Sequence, residues 1–251
     1  AASGYNLTLF SQNALESFVT YNVTIAAETK AGRGPAQLVQ QLTEASTPTA
    51  PVTIREDEIV AHPHNISVPF SAPSLPDRNG IIDFFEVVVD YAEPTDFRID
   101  ASFPPTELPR TIIVNPDQHT FELAQLQSFI NYTVTITMVV RNNEGTEEFR
   151  SAPAQTSVKT LATRPSAAPS SVSVIQLPDS TTRAKTLQVS VSAPVPSARN
   201  GILTGFIVYF TDEDGINFEQ NVTVEESKRG KPSILVVTEL SDLRAYVDYT
   251  V

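Results

Sequence analysis

Apolar residues recur at every second position through much of the chain, in short runs such as "NISVPF" from Asn65, "FFEVVVDY" from Phe84 and "YTVTITMVV" from Tyr132. A period of two sends alternate side chains to opposite faces of an extended segment, so each run reads as a strand with one face for a core. β-Branched and aromatic residues fill the runs, and Pro, Asn-Gly or Asp-Gly punctuates them, which is the pattern of an all-β sandwich. No stretch holds the 3.6-residue period of a helix, so no helix is expected.

The pattern is written more than once. With Asn79 and Asn200 as origins, "NGIIDFFEVVV" is echoed by "NGILTGFIVYF": Gly80 matches Gly201, Ile81 matches Ile202, Phe85 matches Phe206, Val87 matches Val208, and Val89 matches Phe210. Upstream, "VPFSAPSLPDRNG" parallels "VSVSAPVPSARNG", with Phe70 and Val191 three residues before Pro73 and Pro194. A third signal, Leu six residues before Tyr, occurs in "LESFVTYNV", "LQSFINYTV" and "LRAYVDYTV", ending at Tyr21, Tyr132 and Tyr249. Such self-similarity is the mark of a repeat architecture. Between the copies lie "TEASTPTAPV" from Thr43 and "TLATRPSAAPSSVSV" from Thr160, each with two prolines among small polar residues, which favours extended, semi-stiff connectors.

Together these residues resemble the fibronectin type III module, whose sequence skeleton is a Pro-rich entry, a Trp three residues before a Pro, Asn-Gly-x-Ile leading into an aromatic strand, then Leu-x5-Tyr followed by alternating apolar residues and a Gly-containing turn. The resemblance covers nearly the whole chain. It implies tandem immunoglobulin-like β-sandwiches, one complete and two partial: residues 1–46 as the closing part of one module, 47–163 as a complete module, and 164–251 as a module that stops in its sixth strand. Each end segment alone is then expected to leave strand edges unpaired. In this family Tyr at the sandwich corner buries its ring while its hydroxyl meets backbone upstream, so Tyr21, Tyr132 and Tyr249 are expected to be structural corners. The family's Trp is replaced by Phe70 and Val191, so other side chains must refill the core, above all in the third module. The stretch Tyr91 to Phe121 is longer than a compact module needs, and is read as an insertion or extended edge loop whose prolines discourage pairing.

Composition narrows the function. The 251 residues are 41% hydrophobic and 18% charged, enough apolar material to bury cores. A net charge of −12 argues against a nucleic-acid partner, which needs a clustered basic surface. With no cysteine there is no disulfide, thiolate metal site or cysteine nucleophile. No run approaches 18 apolar residues, so any membrane anchor is expected outside this segment.

Candidate chemistry is sparse. His62 and His64 in "AHPHN" flank a proline without a third ligand nearby, and read as a solvated loop rather than a metal site. "TDEDG" from Thr211 lacks the spaced ligands of a calcium loop and reads as an acidic turn between strands. "AGRG" from Ala31 follows a strand without opening a helix and reads as a hairpin turn, not a phosphate loop. No nucleophile elbow, zinc-protease or Walker pattern occurs, so no catalytic, cofactor-binding or metal residue is assigned. Five sequons stand out: Asn6, Asn22, Asn65, Asn131 and Asn221, each followed by a residue other than Pro and then Ser or Thr. Each Asn is expected on a strand, pointing to solvent where it can bear a glycan.

The expected function is an extracellular binding and spacing array of a cell-surface receptor or adhesion protein, facing a protein ligand or another cell-surface protein, with no catalysis in this segment. The expected location is the outer side of the plasma membrane or the secreted space. Two alternatives stand beside it: an intracellular structural array of the giant muscle-protein kind, and an accessory module of a secreted carbohydrate-active enzyme. "TKAGRGP" and "RNNEGTEEF" lack Arg-Gly-Asp, so no integrin role is assigned.

Overall fold

The structure of the chain, a computed structural model, describes residues 15–91, 108–178, 184–229, 231, 234–244 and 249–250. The described residues are 53% strand and 7% helix, and every strand pairing is antiparallel. Three groups of strands follow one another along the chain.

The first is a hairpin of β1 (Thr20–Thr29) and β2 (Gly32–Leu42). Its two-residue turn places Gly32 at φ 134°, a conformation that glycine adopts without a Cβ penalty.

The second group is a sandwich. One layer holds β3 (Thr53–Ile54), β4 (Val60–Ala61), β5 (Ile66–Ser71) and β8 (Thr120–Leu123); β5 pairs with each of the other three. The facing layer runs β10-β9-β6-β7, built from β6 (Ile81–Tyr91), β7 (Arg110–Val114), β9 (Asn131–Arg141) and β10 (Glu148–Arg150). The last strand is broken at Ser151-Ala152-Pro153 and resumes as β11 (Ala154–Lys159) on the same edge of β9. At the break the Ser151 hydroxyl accepts from Met138 N at 3.0 Å, filling the gap in the ladder.

Alternation builds the core between these layers. Ile66, Val68 and Phe70 of β5 face Phe85, Val87 and Val89 of β6 and Tyr132, Val134, Ile136 and Met138 of β9, all at most 1% exposed. Phe70 meets Phe85 edge-on at 4.8 Å and lies 6.0 Å from Phe121, so three aromatic rings pack together in this core. The third group forms two smaller sheets, β12-β13-β16 and β15-β14-β17, from β12 (Ser171–Gln176), β13 (Ala184–Ser192), β14 (Gly205–Asp212), β15 (Asn217–Thr223), β16 (Leu235–Arg244) and β17 (Tyr249–Thr250). Val189, Val191, Val208, Phe210, Leu240 and Leu243 are its buried centre.

Two elements of the fold depart from the sequence reading. Arg110–Val114 lies inside the stretch read as an unpaired loop, yet pairs with β6 as an edge strand, because Thr111, Ile112, Ile113 and Val114 are β-branched and Pro109 stays just outside the ladder. The rest of that stretch, residues 92–107, lies outside the described residues. One four-residue α-helical turn, Leu75–Arg78, also forms: Pro76 presets its backbone and Asn79, at φ 53°, ends it. Its counterpart in the third group is the 3-10 turn Pro196–Arg199, ended by Asn200 at φ 51°.

Candidate functional site

The Leu-x5-Tyr segments form one local device twice. Tyr132 is fully buried and its hydroxyl accepts from Gln127 N at 2.9 Å, five residues upstream. Tyr21, half-buried, accepts from Glu16 N at 2.9 Å, again five residues upstream. Burial pushes the Tyr132 phenol up to about 12, outweighing the Gln127 N–H that favours the phenolate, while Tyr91, stacked 5.6 Å away, adds to the rise. Tyr249 sits in β17, and its side chain lies outside the described residues.

Sequence reasoning missed a threonine at each corner. The Thr160 hydroxyl accepts from Ile130 N at 3.0 Å and donates to Gln127 O at 2.7 Å; the Thr43 hydroxyl accepts from Val19 N at 2.9 Å and donates to Glu16 O at 2.7 Å. The signal was present, since each is the first residue of a Pro-containing connector.

The connectors themselves are bonded at both ends. Toward the preceding strands, Phe18 N donates to Glu44 O and Phe129 N to Leu161 O. Toward the following strands, Ser46 N donates to Asn79 O at 2.9 Å and the Asn79 Nδ2 returns a bond to Thr47 O at 2.9 Å. The second joint repeats this: Thr163 N donates to Asn200 O at 2.9 Å and Asn200 Nδ2 to Arg164 O at 3.0 Å. Ser46 and Thr163 also reach backward, to the hydroxyls of Ser17 at 2.7 Å and Ser128 at 3.2 Å. Below each Asn an arginine braces the turn, Arg78 Nε on Pro73 O and Arg199 Nε on Pro194 O, both at 2.9 Å. Ala162 packs on Gly201, where a Cβ would come within 2.9 Å of it. In the first joint Ser74 and then Thr49 donate to Asp77 and hold its carboxyl below the usual range.

No protein-family model matches this chain, and no curated protein matches it.

The sequon residues are scattered over surfaces. Asn22 on β1, Asn131 at the start of β9 and Asn221 on the outer strand β15 are exposed. Asn65 departs from the expectation: it lies just before β5, outside the strand, and is half-buried, and its carbonyl accepts from His62 N at 2.8 Å across the Pro63–His64 bend. Asn6 lies outside the described residues.

The remaining candidate segments have local partners. His64 Nδ1 donates to Leu126 O at 3.0 Å, tying the "AHPHN" turn to the corner. Among the described residues no three His, Cys, Asp or Glu side chains gather as metal ligands. In "TDEDG" the carboxylate of Asp212 accepts from Asp214 N at 3.1 Å and Ile216 N at 2.9 Å, so it shapes the β14–β15 turn. "AGRG" begins at Ala31 in the β1–β2 turn and continues into the start of β2. An apolar cleft of about 300 Å³ opens in the third group between Val172 of β12, Val189 and Val191 of β13, and Phe206 and Val208 of β14. No helix among the described residues is long and apolar enough to cross a membrane.

Proposed function

We propose that the chain is an extracellular array of fibronectin type III modules, divided as residues 1–46, 47–163 and 164–251, serving as a binding and spacing segment of a cell-surface receptor or adhesion protein. The observation that carries the proposal is the recurrence of corner and joint with the same hydrogen-bond pattern, at Tyr21 with Asn79 and at Tyr132 with Asn200. A chain built for chemistry concentrates titratable groups in one cleft; here the polar apparatus holds strands and joints instead. Exposed Asn22, Asn131 and Asn221 on strand surfaces support placement where glycans are attached. On this reading the partner is a protein, the segment performs no catalysis, and the membrane is reached only through an anchor elsewhere in the parent chain.

The test is secretion from a eukaryotic cell followed by mass spectrometry before and after enzymatic deglycosylation. Occupied sequons are expected. A secreted protein with no glycan at any site would overturn the extracellular assignment in favour of an intracellular structural array.

A further inference from the structure

Both Arg-Asn-Gly turns use a left-handed Asn where glycine would be the least strained residue. What glycine lacks is the carboxamide, and in both copies that carboxamide does the same thing. It donates to a carbonyl of the incoming connector, one residue beyond the connector N–H that donates to the Asn carbonyl. The reciprocal pair is closed again two to three residues further on, by Thr49 N to Asp77 O at 2.9 Å and Ser166 N to Ala198 O at 2.7 Å. The connector is thus laid down along the turn, not merely tethered at its ends. Ser46 and Thr163 meanwhile touch the corner behind and the turn ahead with the same residue.

From this geometry we propose that Asn79 and Asn200 are latches: their side-chain amides lock each connector onto the module it enters and hold successive sandwiches in one fixed orientation. The inference rests on reading the chain as successive modules, and it names what makes such a segment a spacer and not a string of loose beads. A connector of small polar residues and two prolines is only semi-stiff by itself. The latch supplies the missing constraint, because it pins direction as well as position. Arg78 and Arg199 act behind it as positioning residues, bracing the turn through the Pro73 and Pro194 carbonyls.

The experiment exploits the absence of cysteine in the whole chain. Ser157→Cys and Glu219→Cys place spin labels on exposed strand positions either side of the second joint, and pulsed dipolar spectroscopy reads their distance distribution. A narrow distribution is expected for the unsubstituted joint. Asn200→Gly keeps the left-handed backbone and deletes only the amide, so the distribution should broaden about twofold or more while the circular dichroism spectrum stays the same. If Asn200→Gly disturbs folding, Asn200→Asp retains the backbone preference and turns an acceptor toward the Arg164 carbonyl; it should broaden the distribution in the same way. A distribution already broad with Asn200 in place, or one equally narrow in a folded variant lacking the amide, overturns the latch. Equal broadening by Asn143→Gly, in an exposed loop away from the joint, does so too. These outcomes are independent of glycan occupancy, so failure of the latch and failure of the extracellular assignment are distinguishable.

Discussion

Replacing Tyr132 with Phe isolates one hydroxyl in a packed site. The ring is fully buried and stacked on Tyr91, and Phe keeps that area, so almost no apolar burial is lost. What changes is that the Gln127 N–H loses an acceptor at 2.9 Å, in a residue only 8% exposed. Leaving a buried donor without its acceptor costs about 1–3 kcal/mol, against a typical domain stability of about 5–15 kcal/mol. Tyr21→Phe removes the same bond from Glu16, which is exposed, so water replaces the phenol and the cost should stay within about 0.5 kcal/mol. The chain has no Trp to report unfolding, and native-state hydrogen exchange of the β9 amides from Val134 to Met138 is the suitable assay. At the global-unfolding limit their exchange should accelerate about 5- to 150-fold in Tyr132→Phe. An acceleration below about twofold, corresponding to about 0.4 kcal/mol, would refute the claim that burial gives this hydroxyl its weight.

Phe70→Trp should destabilise the middle sandwich by about 1–3 kcal/mol, since the Phe ring already fills its space against Phe85 and Phe121; thermal unfolding measures it. The raised Tyr132 phenol means that the folded state keeps a proton that the unfolded chain releases near its ordinary pKa of 10. This contribution is therefore fully present below pH 10 and is lost as pH rises toward about 12, and Tyr132→Phe should flatten that part of a stability-against-pH curve. In secreted protein, glycan occupancy at exposed Asn22, Asn131 and Asn221 should exceed that at half-buried Asn65, as site-resolved mass spectrometry will show. Higher occupancy at Asn65 would sink the exposure argument.

Alternation made the sheets legible. Phe70, Phe85, Val87, Tyr132 and Val134, from the alternating runs, all fall in one buried cluster, because each strand has one inward face and a period of two reads it directly. Arg110–Val114 was hidden by its prolines: five residues next to a Pro-rich stretch give too short an alternation to outweigh the local breakers. Asn65 was misplaced by one residue, since β5 begins at Ile66. The connectors' bonds were beyond the sequence for a different reason. Thr43, Thr160, Asn79 and Asn200 gain their meaning from backbone groups far along the chain, such as Thr47 O for Asn79, and no local period encodes such a partner.

Only one residue separates the backward and forward backbone bonds in each connector, Ala45 between Glu44 and Ser46, and Ala162 between Leu161 and Thr163. A residue spans at most about 3.6 Å when fully extended, so each joint holds almost no slack. An ordinary flexible linker lengthens under tension by giving up entropy, smoothly and at low force. Pulling on this chain finds no such reserve. Tension passes directly into the hydrogen bonds at the turn and the corner, so the segment transmits small displacements undiminished and lengthens only when those bonds part.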